Sequence, residues 1–163
     1  YYELKKISTI TNITKNFYKN WDEKLYKTYL ETFNIDPSKR IKELSAGMKV
    51  KYQIAVALSH NAKLLILDEP TSGLDPVSRE ELLSLFMYLA QTKKISILFS
   101  THITSDLEKC ADTITYIKDG NLIASMEKMK FIKHFQYLKT SSTKPDLTLE
   151  EIMIKNERCS YDF

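Results

Sequence analysis

The sequence has 163 residues, 43% of them apolar and 28% charged, with a formal net charge of +3. That balance fits one globular domain with a real core and argues against disorder and against a polycation built for nucleic acid. No apolar run approaches the roughly 20 residues of a membrane helix, and no signal peptide is visible, so a cytosolic chain with reduced Cys110 and Cys159 is expected.

In chain order, a first helix is predicted within Leu4–Tyr18 and a second from Asp22 to Phe33. In the second, Leu25, Tyr26, Tyr29, Leu30 and Phe33 recur at helical spacing, and Asp22 is the N-cap. Asp36-Pro37-Ser38 marks a turn. Ser45 caps a third helix running to about Ser59, with Val50, Ile54, Ala57 and Leu58 on one face. Leu64–Leu67 is an all-aliphatic run stopped by Asp68, Glu69 and Pro70, which predicts a strand buried on both faces. Asp75 and Pro76 open a helix that shows Leu82, Leu83, Leu85, Phe86 and Leu89 to the core and ends near Gln91. Ile95–Ser100 reads as a second buried strand, parallel to the first. A short helix over Ser105–Ala111 precedes a hairpin, with strands Ile114–Lys118 and Leu122–Ala124 around Asp119-Gly120-Asn121. Met126–Lys144 carries Lys128, Lys130, Lys133, Lys139 and Lys144 and predicts a solvated helix face. Thr148 and Glu151 form a capping box for a terminal helix.

Two features carry chemistry. Asp68 and Glu69 stand at the carboxyl end of a strand, where ligands gather in parallel sheets. Adjacent carboxylates repel unless a cation or a proton intervenes. A Mg²⁺ ion on Asp68 resolves that and leaves Glu69 to take a proton from water. The second feature is the Ser45-x-Gly47 helix start, which offers a hydroxyl, open N–H groups and a positive dipole end to an anion.

These stretches resemble the ATP-binding cassette (ABC) ATPases. Leu64–Asp75 looks like their Walker B segment and D-loop, Leu44-Ser45-Ala46-Gly47-Met48 like the signature motif, and His102 like the H-loop histidine. Phe17–Asp22 and the helix after it resemble the helical subdomain of bacterial exporters. The resemblance covers about Phe17 to Ala124. It implies an α/β fold, a P-loop NTPase-like parallel sheet flanked by helices. The sheet would be incomplete, with an α-helical subdomain on its N-terminal side. The implied layout is a helical subdomain with the signature over residues 1–60, the remaining ATPase core over 61–125 and an extension over 126–163. It also implies ATP and Mg²⁺ as ligands, with Asp68 holding the metal, Glu69 as general base and His102 on the terminal phosphate. Ser45 and Gly47 would bind ATP held by a second cassette, and Asp75 would link the two sites. The implied partners are that second cassette and an integral-membrane subunit, with no nucleic acid. The implied location is the inner face of the cell membrane, peripheral to it.

Two departures bear on activity. Ala46 and Met48 replace the usual glycine and glutamine, and Ala46 requires a negative φ. With glycines only at 47, 73 and 120, no Gly-x-x-x-x-Gly-Lys-Ser/Thr loop can be written. The chain, which opens on Tyr1, is therefore expected to be part of a longer product and to bind and hydrolyse ATP poorly alone. It is also expected to expose an unpaired edge at Ile95–Phe99. A catalytically silent dimerisation module is the alternative.

Overall fold

The computed structural model describes residues 2–138 and 146–157. Lys139, Lys144 and Cys159 of the sequence reading lie outside them. Contacts divide the chain into two compact units, Tyr1–Thr101 and His102–Phe163.

The first unit begins with three helices, α1 (Ile7–Thr14), α2 (Glu23–Thr32) and α3 (Ala46–Ser59). The caps are as expected: Asp22 Oδ1 accepts from the Leu25 N–H at 2.8 Å, and Ser45 Oγ accepts from the Met48 N–H at 3.2 Å. The Asp36 turn closes through its carboxylate, which accepts from the Ser38 N–H at 2.8 Å. Ile7, Ile10, Tyr26, Leu30, Ile35, Ile41, Leu44, Tyr52 and Ala55 form one apolar cluster. Tyr52 and Ala55 on α3 belong to this core, whereas Val50 and Ala57 are only half-buried. A polar knot sits among them. The Thr11 hydroxyl lies 2.7 Å from the Tyr26 hydroxyl and 2.9 Å from that of Tyr52. Thr11→Val is isosteric but leaves two buried phenols short of a bond. It should cost about 1–3 kcal/mol, read as a lower urea midpoint.

The rest of the unit is β1 (Leu64–Asp68), α4 (Pro76–Lys93) and β2 (Ser96–Ser100). The strands pair in parallel, from Leu64 against Ser96 to Asp68 against Ser100. Helix α4 ends two residues beyond the expected Gln91, where Lys94 turns left-handed at φ 56°. Leu82, Leu83, Phe86 and Leu89 are buried, and Phe86 meets Phe99 of β2 at 5.6 Å between ring centroids.

The expectation of strands buried on both faces is overturned. Successive side chains alternate between faces. Leu65 is buried, but Leu64, Ile66 and Leu98 are 52%, 71% and 58% exposed. The described residues supply one covering layer, α4, and nothing over the opposite face. Among the described residues the sheet has two strands, so the far side of β2 carries the unpaired edge expected there.

The second unit holds α5 (Thr104–Cys110), β3 (Thr113–Lys118), β4 (Asn121–Glu127), α6 (Lys128–His134) and α7 (Leu149–Glu157). The hairpin is longer than expected and turns through Asp119 and Gly120, both at positive φ (50° and 74°). Ile114, Tyr116, Ala124, Phe131, Phe135, Leu147, Leu149 and Ile152 form its core. Lys130 and Lys133 are exposed, as a solvated face requires. Lys128 instead lays its ammonium on the Glu108 carbonyl at 2.8 Å. The Thr148–Glu151 capping box closes with two bonds of 3.1 Å. Cys110 is a free thiol whose pKa burial pushes up to about 11, with the Asp106 carboxylate adding to the shift.

Candidate functional site

The site is assembled at the carboxyl end of β1. The parallel register puts Ser100 beside Asp68, and the Ser100 hydroxyl donates to Asp68 Oδ1 at 2.5 Å. The Ser100 Oγ in turn accepts from the Glu69 N–H at 3.0 Å. One hydroxyl thus locks the aspartate's orientation and the backbone of the next residue. Sequence reading missed this role. No local signal announces it, because it depends on the parallel register of two strands that brings Asp68 and Ser100 side by side.

Glu69 adopts φ +45°, in the left-handed region that a non-glycine residue rarely occupies. Holding it there costs on the order of 1–3 kcal/mol, and such strain clusters at functional positions. The conformation ends the strand and turns the glutamate side chain inward: the residue is half-buried, and its Oε2 is sealed from solvent. Asp68 stays exposed. The two neighbouring acids therefore have different surroundings.

The chain next turns through Ser72 N–H to Glu69 C=O (3.1 Å) and Leu74 N–H to Thr71 C=O (3.3 Å), with Gly73 at φ +69°. Asp75 Oδ1 then accepts from the Val77 and Ser78 N–H groups at 3.1 and 3.0 Å. Bonds from Ser78 hold the Asp75 carboxyl below its usual range. A depressed pKa stabilises the fold above the ordinary aspartate value, and that contribution fades as pH falls through the lowered one. Asp75→Ala should therefore lower Tm at pH 7 and bring the two proteins' Tm values together in strong acid.

The helix start at Ser45 belongs to the same unit. Ala46 has negative φ, as its methyl requires. Gly47 is buried against α4: a Cβ there would lie 3.3 Å from Ser78 Cβ. Met48, in the usual glutamine position, packs against the helical core. Lys49 Nζ lies 3.8 Å from Glu3. Ser45, whose oxygen caps the helix, retains its own hydroxyl proton for an acceptor. His102 is exposed and is the second residue beyond β2, at the start of the second unit. The structure thus brings Asp68, Glu69 and Ser100 together and places Gly47 against the turn that follows Asp75.

Acids at the carboxyl end of a parallel strand, with capped helix starts in the same unit, stand where ligands bind in open α/β folds. A family profile described as "AAA domain, putative AbiEii toxin, Type IV TA system" matches residues 6–105. The bacitracin transport ATP-binding protein BcrA of Bacillus licheniformis is 34% identical over 120 residues, covering 71% of this chain and 39% of that protein. The lantibiotic transport ATP-binding protein SrtF of Streptococcus pyogenes is 42% identical over 94 residues, covering 58% of this chain and 40% of that protein. A solved ATP-binding subunit of an ABC transporter superposes with TM-score 0.73 at 25% identity, over 97% of this chain and 65% of that one. The chain belongs to this AAA-domain family and is a nucleotide-binding domain of the ABC transporter type. It spans about two fifths of the length of these two curated relatives.

Proposed function

We propose that the chain is part of the ATP-binding and hydrolysing subunit of an ABC exporter, coupled to a separate membrane subunit and paired with a second cassette. The observation that carries this reading is the Asp68–Ser100–Glu69 arrangement at the strand ends. Residues 1–60 serve as the helical subdomain, 61–125 as the remaining core and 126–163 as an extension. No helix among the described residues is long and apolar enough to cross a membrane, which fits a pore built by another chain at whose cytoplasmic face this one sits.

Mg²⁺ is tested by the donors present. No cluster of three His, Cys, Asp or Glu side chains stands ready for a metal among the described residues. Asp68 is one oriented, exposed carboxylate. That suits a hydrated Mg²⁺, which commonly binds through one or two carboxylates plus the phosphates of its nucleotide. Bound there, the ion would neutralise phosphate charge. Glu69 takes the proton of the attacking water, His102 orients the terminal phosphate, and Ser45 and the first-turn N–H groups at Gly47 meet the nucleotide of the opposite cassette. Asp75, through its cap, holds the loop joining the two sites.

With no phosphate-gripping glycine loop in these 163 residues, the chain alone should show no micromolar affinity for Mg-ATP in calorimetric titration. Tight binding by the isolated chain would overturn that expectation. A second reading, a silent module that completes a partner's site, is favoured by the intact Ser45 cap. It predicts that the chain, added to an intact cassette, raises that cassette's turnover while Glu69→Gln in this chain changes nothing.

A further inference from the structure

The loop before α3 crosses the start of α1 in an isolated antiparallel bridge between Lys6 and Arg40. The Ile7 N–H donates to the Lys39 carbonyl at 2.9 Å and the Ile41 N–H to the Lys5 carbonyl at 3.2 Å. Lys6 and Arg40 are therefore the non-hydrogen-bonded pair, the arrangement in which facing side chains stand closest, about 4.5 Å between Cα atoms. Like charges directly opposite each other destabilise a strand pair. Here the main chain holds two cations side by side, and Lys5, Lys39 and Lys42, all exposed, flank them. Three acids stand nearby, each with a contact of its own, and Glu3 lies 3.8 Å from Lys49. The Glu43 carboxylate accepts the Arg40 N–H at 2.5 Å, and Asp36 holds its own turn while also facing Lys39. Among the described residues no carboxylate forms an ion pair with the side chains of Lys6, Arg40 or Lys42.

We propose that this Lys6–Arg40 patch docks the chain directly on anionic phospholipid headgroups. The patch is open, its five cationic residues all exposed. A single free phosphate on an open surface is screened at physiological salt, where the Debye length is about 8 Å. A dense array of headgroup phosphates instead adds roughly fivefold in partition per surface cation. Beside the lysines stands Leu4, 55% exposed, an apolar side chain suited to the headgroup boundary rather than a ring on which bases stack. The contact adds to any held by a membrane subunit. It does not rest on the ATPase reading, because vesicle binding needs neither nucleotide nor a second chain.

The test is co-sedimentation of the full chain with phosphatidylcholine vesicles, with and without phosphatidylglycerol. Binding is expected only with the anionic lipid, to fall as salt rises, and to weaken about thirtyfold in K6Q/R40Q, two charges at the stated increment. R40K should keep it, as should K130Q/K133Q on α6. These replacements spare the backbone bridge, and a urea midpoint no lower than the parent's confirms the fold. Equal binding to both vesicle types, or loss in K130Q/K133Q rather than K6Q/R40Q, overturns the proposal. So does displacement by millimolar inorganic phosphate, or tighter binding to single-stranded RNA or polyglutamate than to the vesicles.

Discussion

Phe86→Ala should destabilise the first unit by about 3–5 kcal/mol, the usual cost of deleting a buried phenyl group. Phe86 is 2% exposed and touches Phe99, so its ring is a main connection between α4 and the sheet. Elsewhere a parallel sheet has a second layer to share such a loss. Here the opposite face shows Leu64, Ile66 and Leu98 to solvent, and nothing described can move in to compensate. Domains are stable by only about 5–15 kcal/mol, so the variant should lose much of its folded population in mild denaturant. Urea melts followed by the fluorescence of Trp21 will report this. A shift below about 1 kcal/mol would mean that α4 is not what holds the sheet.

Glu69→Gln should leave nucleotide affinity nearly unchanged while lowering turnover about 10²- to 10⁴-fold, the usual worth of a general base. The measurement needs an extended chain that carries its own complete phosphate grip, since a partner's grip serves the partner's site. The amide keeps the size of the carboxylate and the backbone bond to Ser100, so the left-handed turn at residue 69 is retained. Only the ability to take a proton is lost. Unchanged turnover would remove Glu69 from the proposed mechanism. Loss of binding together with turnover would make its role structural.

Local chemistry made much of this protein legible in its sequence. Asp22, Ser45, Asp75 and Thr148 cap helices where expected because a cap depends on a few adjacent atoms. Asp119-Gly120 turns the hairpin for the same reason. What depended on distant partners was not legible. Whether Ile66 is covered depends on how many layers flank the sheet, which its own pattern does not state. Thr11 meets Tyr52 across 41 positions, and Ser100 meets Asp68 across 32. The Lys6–Arg40 bridge is likewise invisible in a sequence that shows only scattered lysines. At the candidate site, the order of acids, turn and helix could be read directly. The inward turn of Glu69 could not, because nothing in its residue type calls for positive φ.

The close approach of Gly47 to Ser78 has an evolutionary consequence. Position 47 has almost no room to grow while Ser78 keeps its Cβ where it is. A lineage that enlarges residue 78 must likewise keep glycine at 47 or re-space the two helices. These positions are expected to drift as a pair among descendants of this gene, so that the signature segment and the loop capped by Asp75 are inherited together rather than tuned one at a time.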